Sequence, residues 1–428
     1  MDVKLNGFST GIVMKQKIIL IGSGMVGARF IERLLAEAPD QYDIRVFNKE
    51  PNGGYNRIML SPVLAGEKPL KEIMTHDHDW FEARDVHLHT STEVVAVDQF
   101  AKKVTTDLGA SYAYDKLIIA TGSSPFIIPV EGHTLPGVVA FRDIRDVNAM
   151  IEITKEKKKA VVIGGGLLGL EAANGLIKRG MDVTVVHLGD VLMNMQMDSV
   201  SGGLLLQSLE ANGMKFIMGG QTEAILGDEF VTGIRMKDGR QIDTDMVVMA
   251  VGIKPNVTVG QKLGLEINRG IVVTDQLETS AEDIYALGEC VEHRGQLYGL
   301  VAPLYEQAQI LAEGLAGKTS AYQGSFISTK LKVTGISLFS AGEFEDSDDA
   351  ESLVYQDLSQ NIYRKVVLKD NKIKGAVMFG DITGSNWIFE NLVSQTDVSQ
   401  YRDTLVFGEG FAPSCLTSDK TVVKGKVA

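Results

Sequence analysis

The feature that most limits what this chain can fold into is a strand-to-helix turn written twice. Lys17-Ile18-Ile19-Leu20-Ile21 is an apolar run of strand length. Gly22-Ser23-Gly24-Met25-Val26-Gly27 follows it directly and opens an amphipathic stretch that runs to Leu35. Each glycine answers a separate steric demand: a tight turn, room for a pyrophosphate against the backbone, and close packing of helix on strand. Unpaired N–H groups at the start of the helix then face the anion. Ala160-Val161-Val162-Ile163-Gly164-Gly165-Gly166-Leu167-Leu168-Gly169-Leu170-Glu171 repeats the strand, the glycine spacing and the helix. One copy is a weak signal. Two copies predict an α/β chain with two Rossmann-like dinucleotide-binding units.

The segments around each turn extend the pattern. Ile44-Arg45-Val46-Phe47 reads as a second strand, and Glu50 stands where an acidic residue usually holds a ribose hydroxyl pair. Arg57 offers charge to a pyrophosphate or a place beside a bound ring. Lys116-Leu117-Ile118-Ile119 runs into Ala120-Thr121-Gly122, small residues that let the backbone pass close to a ligand. Met246-Val247-Val248-Met249-Ala250-Val251-Gly252 echoes it in the second unit. Ile284-Tyr285-Ala286-Leu287 ends in Gly288-Glu289, which sets a carboxylate at a strand end. A helix is expected from Leu300, with Pro303 in its first turn, and its positive end suits a negatively charged ligand. In the second unit the position of the ribose-binding acid holds His187-Leu188, and residues 180–214 contain no Lys or Arg. A 2′-phosphate needs cationic donors close by, so the pattern favours NADH over NADPH.

Residues 86–106 alternate apolar and polar and read as an antiparallel pair or meander. From Ser325 the character changes: strand-like runs at 331–339, 352–357, 361–368 and 373–379 precede an amphipathic helix at 384–394. This is a small α+β domain without a glycine fingerprint, expected to serve as a lid or interface. The acidic segment 343–351 reads as a solvated loop, with a docking patch for a basic partner as the alternative.

At 428 residues the chain exceeds one core. The boundaries read as an extension at 1–13, a discontinuous first unit at 14–147 and 258–324, a second unit at 148–257, the C-terminal domain at 325–411 and a tail at 412–428. Cys290 and Cys415 are the only cysteines, too few for a disulfide framework, a Cys-x-x-Cys redox pair or a cysteine-ligated iron–sulfur cluster. A net charge of −13 argues against nucleic acid. The groups His76-Asp77-His78 and His87-Leu88-His89 lack helical metal-ligand spacing, so no metal is expected. No apolar run approaches the roughly 20 residues of a membrane span, and no signal-peptide order precedes Met14. The expected location is cytoplasmic.

The order of these motifs resembles the two-dinucleotide, glutathione-reductase-like flavoprotein reductases, relatives of ferredoxin and rubredoxin reductases. Within that group the chain resembles the FAD/NADH module of NADH-dependent nitrite reductase large subunits and of assimilatory nitrate reductase electron-transfer subunits. The resemblance is carried by Tyr55-Asn56-Arg57-Ile58-Met59-Leu60-Ser61, Leu64-Ala65-Gly66-Glu67, Gly288-Glu289-Cys290-Val291-Glu292-His293-Arg294-Gly295, Tyr298 to Glu306, Thr329 to Gly335 and Arg402-Asp403-Thr404-Leu405. It implies FAD at Gly22, Gly24, Gly27, Glu50, Arg57, Thr121, Gly122, Gly288 and Glu289. It implies NADH at Gly164, Gly166, Gly169, Glu171 and Gly252. The wider group carries Asp where Glu289 stands. Hydride would pass between stacked rings without a catalytic side chain, with Glu171 and Tyr305 as neighbours. The resemblance also implies electron transfer in nitrate assimilation to a separate redox protein, an iron–sulfur or molybdenum/sirohaem reductase component, and is compatible with an oligomer. The alternatives are a rubredoxin- or ferredoxin-type reductase, an NADH oxidase using a reactive cysteine such as Cys290, and a non-catalytic NADH-responsive binding flavoprotein.

Overall fold

The computed structural model describes residues 15–333 and 335–411. The expected extension at 1–13, the tail at 412–428 and Cys415 lie outside the described residues. Contacts divide the chain into two compact units. Among the described residues, the first comprises residues 15–55, Met74–Ser123 and Pro255–Gly324; the second comprises Asn56–Ile73, Ser124–Lys254 and residues 325–411.

The first unit is built on a five-stranded parallel sheet, in the order Ile284–Ala286, Lys116–Ile119, Gln16–Ile21, Tyr42–Phe47, Val86–His89. Ile18 to Ile21 are buried as a continuous run rather than alternately, because helices cover both faces of a parallel sheet. Helix Met25–Glu37 turns Ala28, Phe30, Ile31 and Leu34 inward. Burial of each of the three large side chains, Phe30, Ile31 and Leu34, contributes roughly 1.5–3 kcal/mol. The alternation in 86–106 divides between two structures. Val86–His89 is the edge strand of the parallel sheet, while Val94–Asp98 and Lys103–Thr106 form an antiparallel meander with Ser111–Ala113.

The second unit repeats the plan. Its parallel sheet runs Val138–Ala140, Met246–Met249, Lys159–Ile163, Asp182–Val186, Lys215–Ile217, with a second three-stranded meander, Thr222–Leu226, Gly233–Met236 and Gln241–Asp243. The same unit holds an antiparallel C-terminal sheet, in the order Ser328–Val333, Ile336–Gly342, Lys372–Phe379, Ile362–Lys369, Glu351–Asp357. Ile388 and Leu392 of helix Ser385–Ser394 pack on it against Phe339, Val366 and Met378. The single strand expected at 331–339 is two, joined by a tight hairpin in which Gly335 takes φ +94°. Tyr363 of this sheet donates to Asp198 Oδ2 at 2.7 Å, and the other oxygen of Asp198 caps helix Ser199–Ala211 at Ser201 N. No described helix is long and apolar enough to cross a membrane.

Candidate functional site

Each parallel sheet ends in the glycine turn that the sequence repeats. In the first unit Gly22 takes φ +108°, and a Cβ there would lie 2.3 Å from the Ala120 carbonyl oxygen. Gly27 lets the helix close on the strand, since its Cβ would lie 2.1 Å from Gly22 O. Gly24 differs: it is the N-cap of helix Met25–Glu37, and among the described residues no side chain caps the helix there and an added Cβ would meet nothing within 4 Å. The turn is thus packed on the protein side and open at the helix end, with backbone N–H groups facing the opening. Ser23 Oγ is buried without a hydrogen-bond partner among the described residues.

The other residues expected around this turn are held nearby in the same unit. Thr121 follows directly on Ala120, and its hydroxyl donates to Asn256 O at 2.7 Å, while Asn256 Nδ2 returns a bond to Thr121 O at 2.9 Å. Gly122 takes φ +63°. Gly288 sits against Val26, its Cβ position 3.6 Å from that side chain, and donates its N–H to Gln307 Oε1 at 2.8 Å. Gln307 is fully buried, and its Nε2 has no partner among the described residues. Glu289 accepts from Ser123 Oγ at 2.7 Å, and Glu50 accepts from Tyr55 Oη at 2.8 Å. Helix Val301–Leu315 starts without a side-chain cap. Tyr305 lies in its second turn with the Arg29 guanidinium over its ring, and burial raises its phenol pKa. Arg29 in turn pairs with Glu32. Arg57 belongs to the second unit, where it donates to Arg142 O at 2.9 Å.

The second glycine turn has the same construction. Gly164 takes φ +117°, with its Cβ position 2.2 Å from Ala250 O, and the Cβ position of Gly169 is 1.9 Å from Gly164 O. Gly166 is the uncapped N-cap of helix Leu167–Lys178 and is open on its Cβ side. Gly252 takes φ +112° two residues beyond Ala250. A small cavity of about 40 Å³ opens between these strand ends, lined by Pro125, Phe141, Leu168, Met249 and Gly252 among others.

Glu171 lies one turn past the glycines and accepts from Ser61 Oγ at 2.5 Å. Burial raises its carboxyl pKa, and the Ser61 bond opposes that shift. Ser61 is brought there by a helix contact that the sequence analysis did not foresee. Helix Leu60–Leu64 lies directly on Gly175, whose added Cβ would meet Leu64 Cγ at 2.8 Å. Its last carbonyls accept from Arg179. The signal was legible as Glu171 and Gly175 at i, i+4 on one helix face.

His187, at the end of strand Asp182–Val186, is turned onto the glycine loop rather than outward: its Nδ1 accepts from Gly165 N–H at 3.1 Å. Four of the six carboxylates in the exposed acidic segment are ion-paired. Glu343 pairs with Lys374 at 3.1 Å, Asp346 with Lys365 at 2.9 Å, Asp349 with Lys369 and Glu351 with Arg402. The lysine holds Asp349 down to a pKa of about 2. Cys290 is fully buried, and its thiol faces the Leu287 carbonyl at 3.3 Å. Burial pushes its pKa up, which removes the thiolate that a reactive cysteine needs.

Both turns fit a dinucleotide: a glycine cradle that any Cβ would obstruct, an open approach and an uncapped helix end. Comparison with known proteins agrees. The family described as pyridine nucleotide-disulphide oxidoreductase matches residues 16–309, and the rubredoxin NAD+ reductase C-terminal domain matches residues 328–396. The chain is 49% identical over 387 residues to the NAD(P)H nitrite reductase of Bacillus subtilis, covering 90% of this chain and 48% of that protein. It is 40% identical to the assimilatory nitrate reductase electron transfer subunit of the same organism, covering 93% and 52%. The chain therefore spans about half the length of either Bacillus relative. Among solved structures, the NADH:rubredoxin oxidoreductase of Clostridium acetobutylicum superposes with a TM-score of 0.76 at 28% identity, covering 90% of this chain and 97% of that one.

Proposed function

Because the chain belongs to the pyridine nucleotide-disulphide oxidoreductase family, we propose that it is an NADH-dependent FAD reductase that hands electrons to a separate redox protein. The observation that carries this is the duplicated glycine cradle, one in each unit, each open at an uncapped helix end. On this reading Gly22, Gly24, Gly27, Glu50, Arg57, Thr121, Gly122, Gly288 and Glu289 hold FAD. Gly164, Gly166, Gly169, Glu171 and Gly252 hold NADH. The domains then divide at 14–147 with 258–324 for FAD, 148–257 for NADH and 325–411 for the C-terminal domain. Bound FAD would supply the step between a two-electron hydride donor and one-electron acceptors.

The chain's own residues bind and orient. The helix amides after Gly24 and Gly166 meet pyrophosphate charge. Glu289, steadied by Ser123 Oγ, offers a carboxylate to sugar hydroxyls, and Glu50, steadied by Tyr55, offers another. The uncapped start of helix Val301–Leu315 would offer its positive end to negative charge on the bound flavin. Glu171, partly buried and bonded to Ser61, would keep a polar side chain near the nicotinamide. The sequence has no Cys-x-x-Cys pair, and the buried thiol of Cys290 disfavours a cysteine-based oxidase.

The relatives' names support a nitrate or nitrite reductase component as the acceptor, and a cytoplasmic setting goes with that role. The test is anaerobic mixing of the purified protein with NADH or NADPH, following flavin absorbance, then addition of a one-electron acceptor or a candidate reductase component. The reading expects one FAD per chain and reduction by NADH far faster than by NADPH. It also expects nitrate or nitrite loss only when the partner is present. Release of FMN or no flavin on denaturation would overturn it, and full nitrite or nitrate reduction by this chain alone would overturn the electron-carrier role.

A further inference from the structure

His187 occupies the place where a dinucleotide-binding unit commonly has its ribose-binding acid, yet its side chain does other work. Nδ1 accepts from the Gly165 N–H at 3.1 Å, and Nε2 lies 2.9 Å from the Val191 carbonyl. A backbone N–H can only donate and a carbonyl can only accept, so the two neighbours select the neutral imidazole with its proton on Nε2. The carbonyl of Gly165 is tied as well, accepting from Met193 N at 3.0 Å. Both polar groups of Gly165 are therefore engaged by the 187–193 loop. Packing closes the same contact: a Cβ on Gly165 would lie 2.6 Å from Leu192 Cδ2 and 2.8 Å from His187 Cγ. Gly165 must lack a side chain because the imidazole and Leu192 take that space. His187 is fixed in turn by its own backbone, which donates to Ile217 O at 2.9 Å and accepts from Gly220 N at 2.9 Å.

We propose that His187 is a positioning residue for the dinucleotide: its neutral ring clamps Gly165, and this sets the path of the backbone into Gly166 and the anion-facing amides of helix Leu167–Lys178. The proposal rests on the reading that NADH occupies the second glycine turn. It also means that the adenosine ribose is not read by the residue at the end of this strand. Preference for NADH then comes from the missing cations of residues 180–214 rather than from a diol-binding acid. A loop that holds its amides in place in advance avoids an ordering cost on binding, and loss of such a clamp weakens substrate and transition state alike, so it moves KM and leaves kcat.

The experiment uses the flavin-loaded protein and NAD+ as the probe, with binding measured by calorimetry, exchange of the Gly165 amide by hydrogen-exchange mass spectrometry and steady-state NADH kinetics. The variants are His187→Ala, His187→Phe and His187→Asn. Phenylalanine keeps a ring without an acceptor, and asparagine restores an acceptor at the Nδ1 position. Alanine and phenylalanine should each weaken NAD+ about tenfold, the factor that one net hydrogen bond supplies, with Gly165 exchange accelerated, KM raised in proportion and kcat and FAD content unchanged. Asparagine should stay within about twofold of the parent, well inside that one-bond factor. Parent-like affinity in the phenylalanine variant, or asparagine as weak as alanine, would overturn the clamp. Gly166→Val is the control for the underlying reading: if it too binds NAD+ like the parent, the second turn is not the NADH site, whatever His187 does.

Discussion

Replacing Gly166 by valine should separate folding from dinucleotide binding in a way that the neighbouring glycines cannot. Gly166 has extended backbone, φ −82° and ψ 178°, which any residue adopts, and an added Cβ meets no atom of the described residues within 4 Å. The cost to the fold is that of a poor N-cap residue, about 1 kcal/mol. The same open space borders the amides at the start of helix Leu167–Lys178, where a pyrophosphate has to sit. Obstructing two amide–phosphate bonds, each of about 1.5–3 kcal/mol, removes about 3–6 kcal/mol, or roughly 10²- to 10⁴-fold in affinity. Gly164→Ala is the contrast. With φ +117° and a Cβ position 2.2 Å from Ala250 O, it should cripple folding of the unit before binding can be assayed. The assay is calorimetric NAD+ binding alongside thermal unfolding and FAD content. Gly166→Val with a parental unfolding midpoint, full FAD and NAD+ binding within tenfold of the parent would refute the cradle argument. Loss of FAD or of the fold in that variant would refute the separability of the two turns.

Glu171→Gln should remove a pH-dependent loss of stability. The folded carboxyl pKa lies above its ordinary value of 4.5, so the parent is favoured below 4.5 and loses stability as pH rises through the raised value, by about 1.4 kcal/mol per unit of displacement. Unfolding midpoints compared across that window should diverge, and parallel profiles would count against it. Tyr363→Phe should cost about 1–3 kcal/mol, because it strips a partner from the buried carboxylate of Asp198. Denaturant unfolding would measure this, and a change below about 0.5 kcal/mol, the range of ordinary surface substitutions, would show that Lys365, 3.8 Å away, satisfies Asp198 Oδ2 without the phenol. Cys290 should remain unmodified when the native protein is treated with iodoacetamide and digested for mass spectrometry. Rapid alkylation would contradict its burial and raised pKa.

The local physics of the two turns was readable in the chain because it is written in contiguous residues. A buried strand, glycines at fixed spacing and an amphipathic helix each depend on neighbours within a dozen positions. The sequence alone therefore determined two Rossmann-like units, their glycine turns, the Thr121-Gly122 and Gly252 strand ends and a C-terminal run of strands and a helix without a glycine fingerprint. Contacts between distant segments were not readable. That Val86–His89 joins the parallel sheet depends on which edge is free beside Tyr42–Phe47, not on its own alternation. That Ser61 meets Glu171 depends on a mid-helix glycine admitting a second helix. The acidic run is exposed as its charge suggests, but its lysine partners were not readable, because they lie on strands that only the sheet brings alongside. His187 could be seen as the wrong residue for a ribose, but its actual role depends on where the ring points. Side-chain periodicity records which residues are buried; which polar group answers which is decided only when the chain closes and every buried donor must find its acceptor.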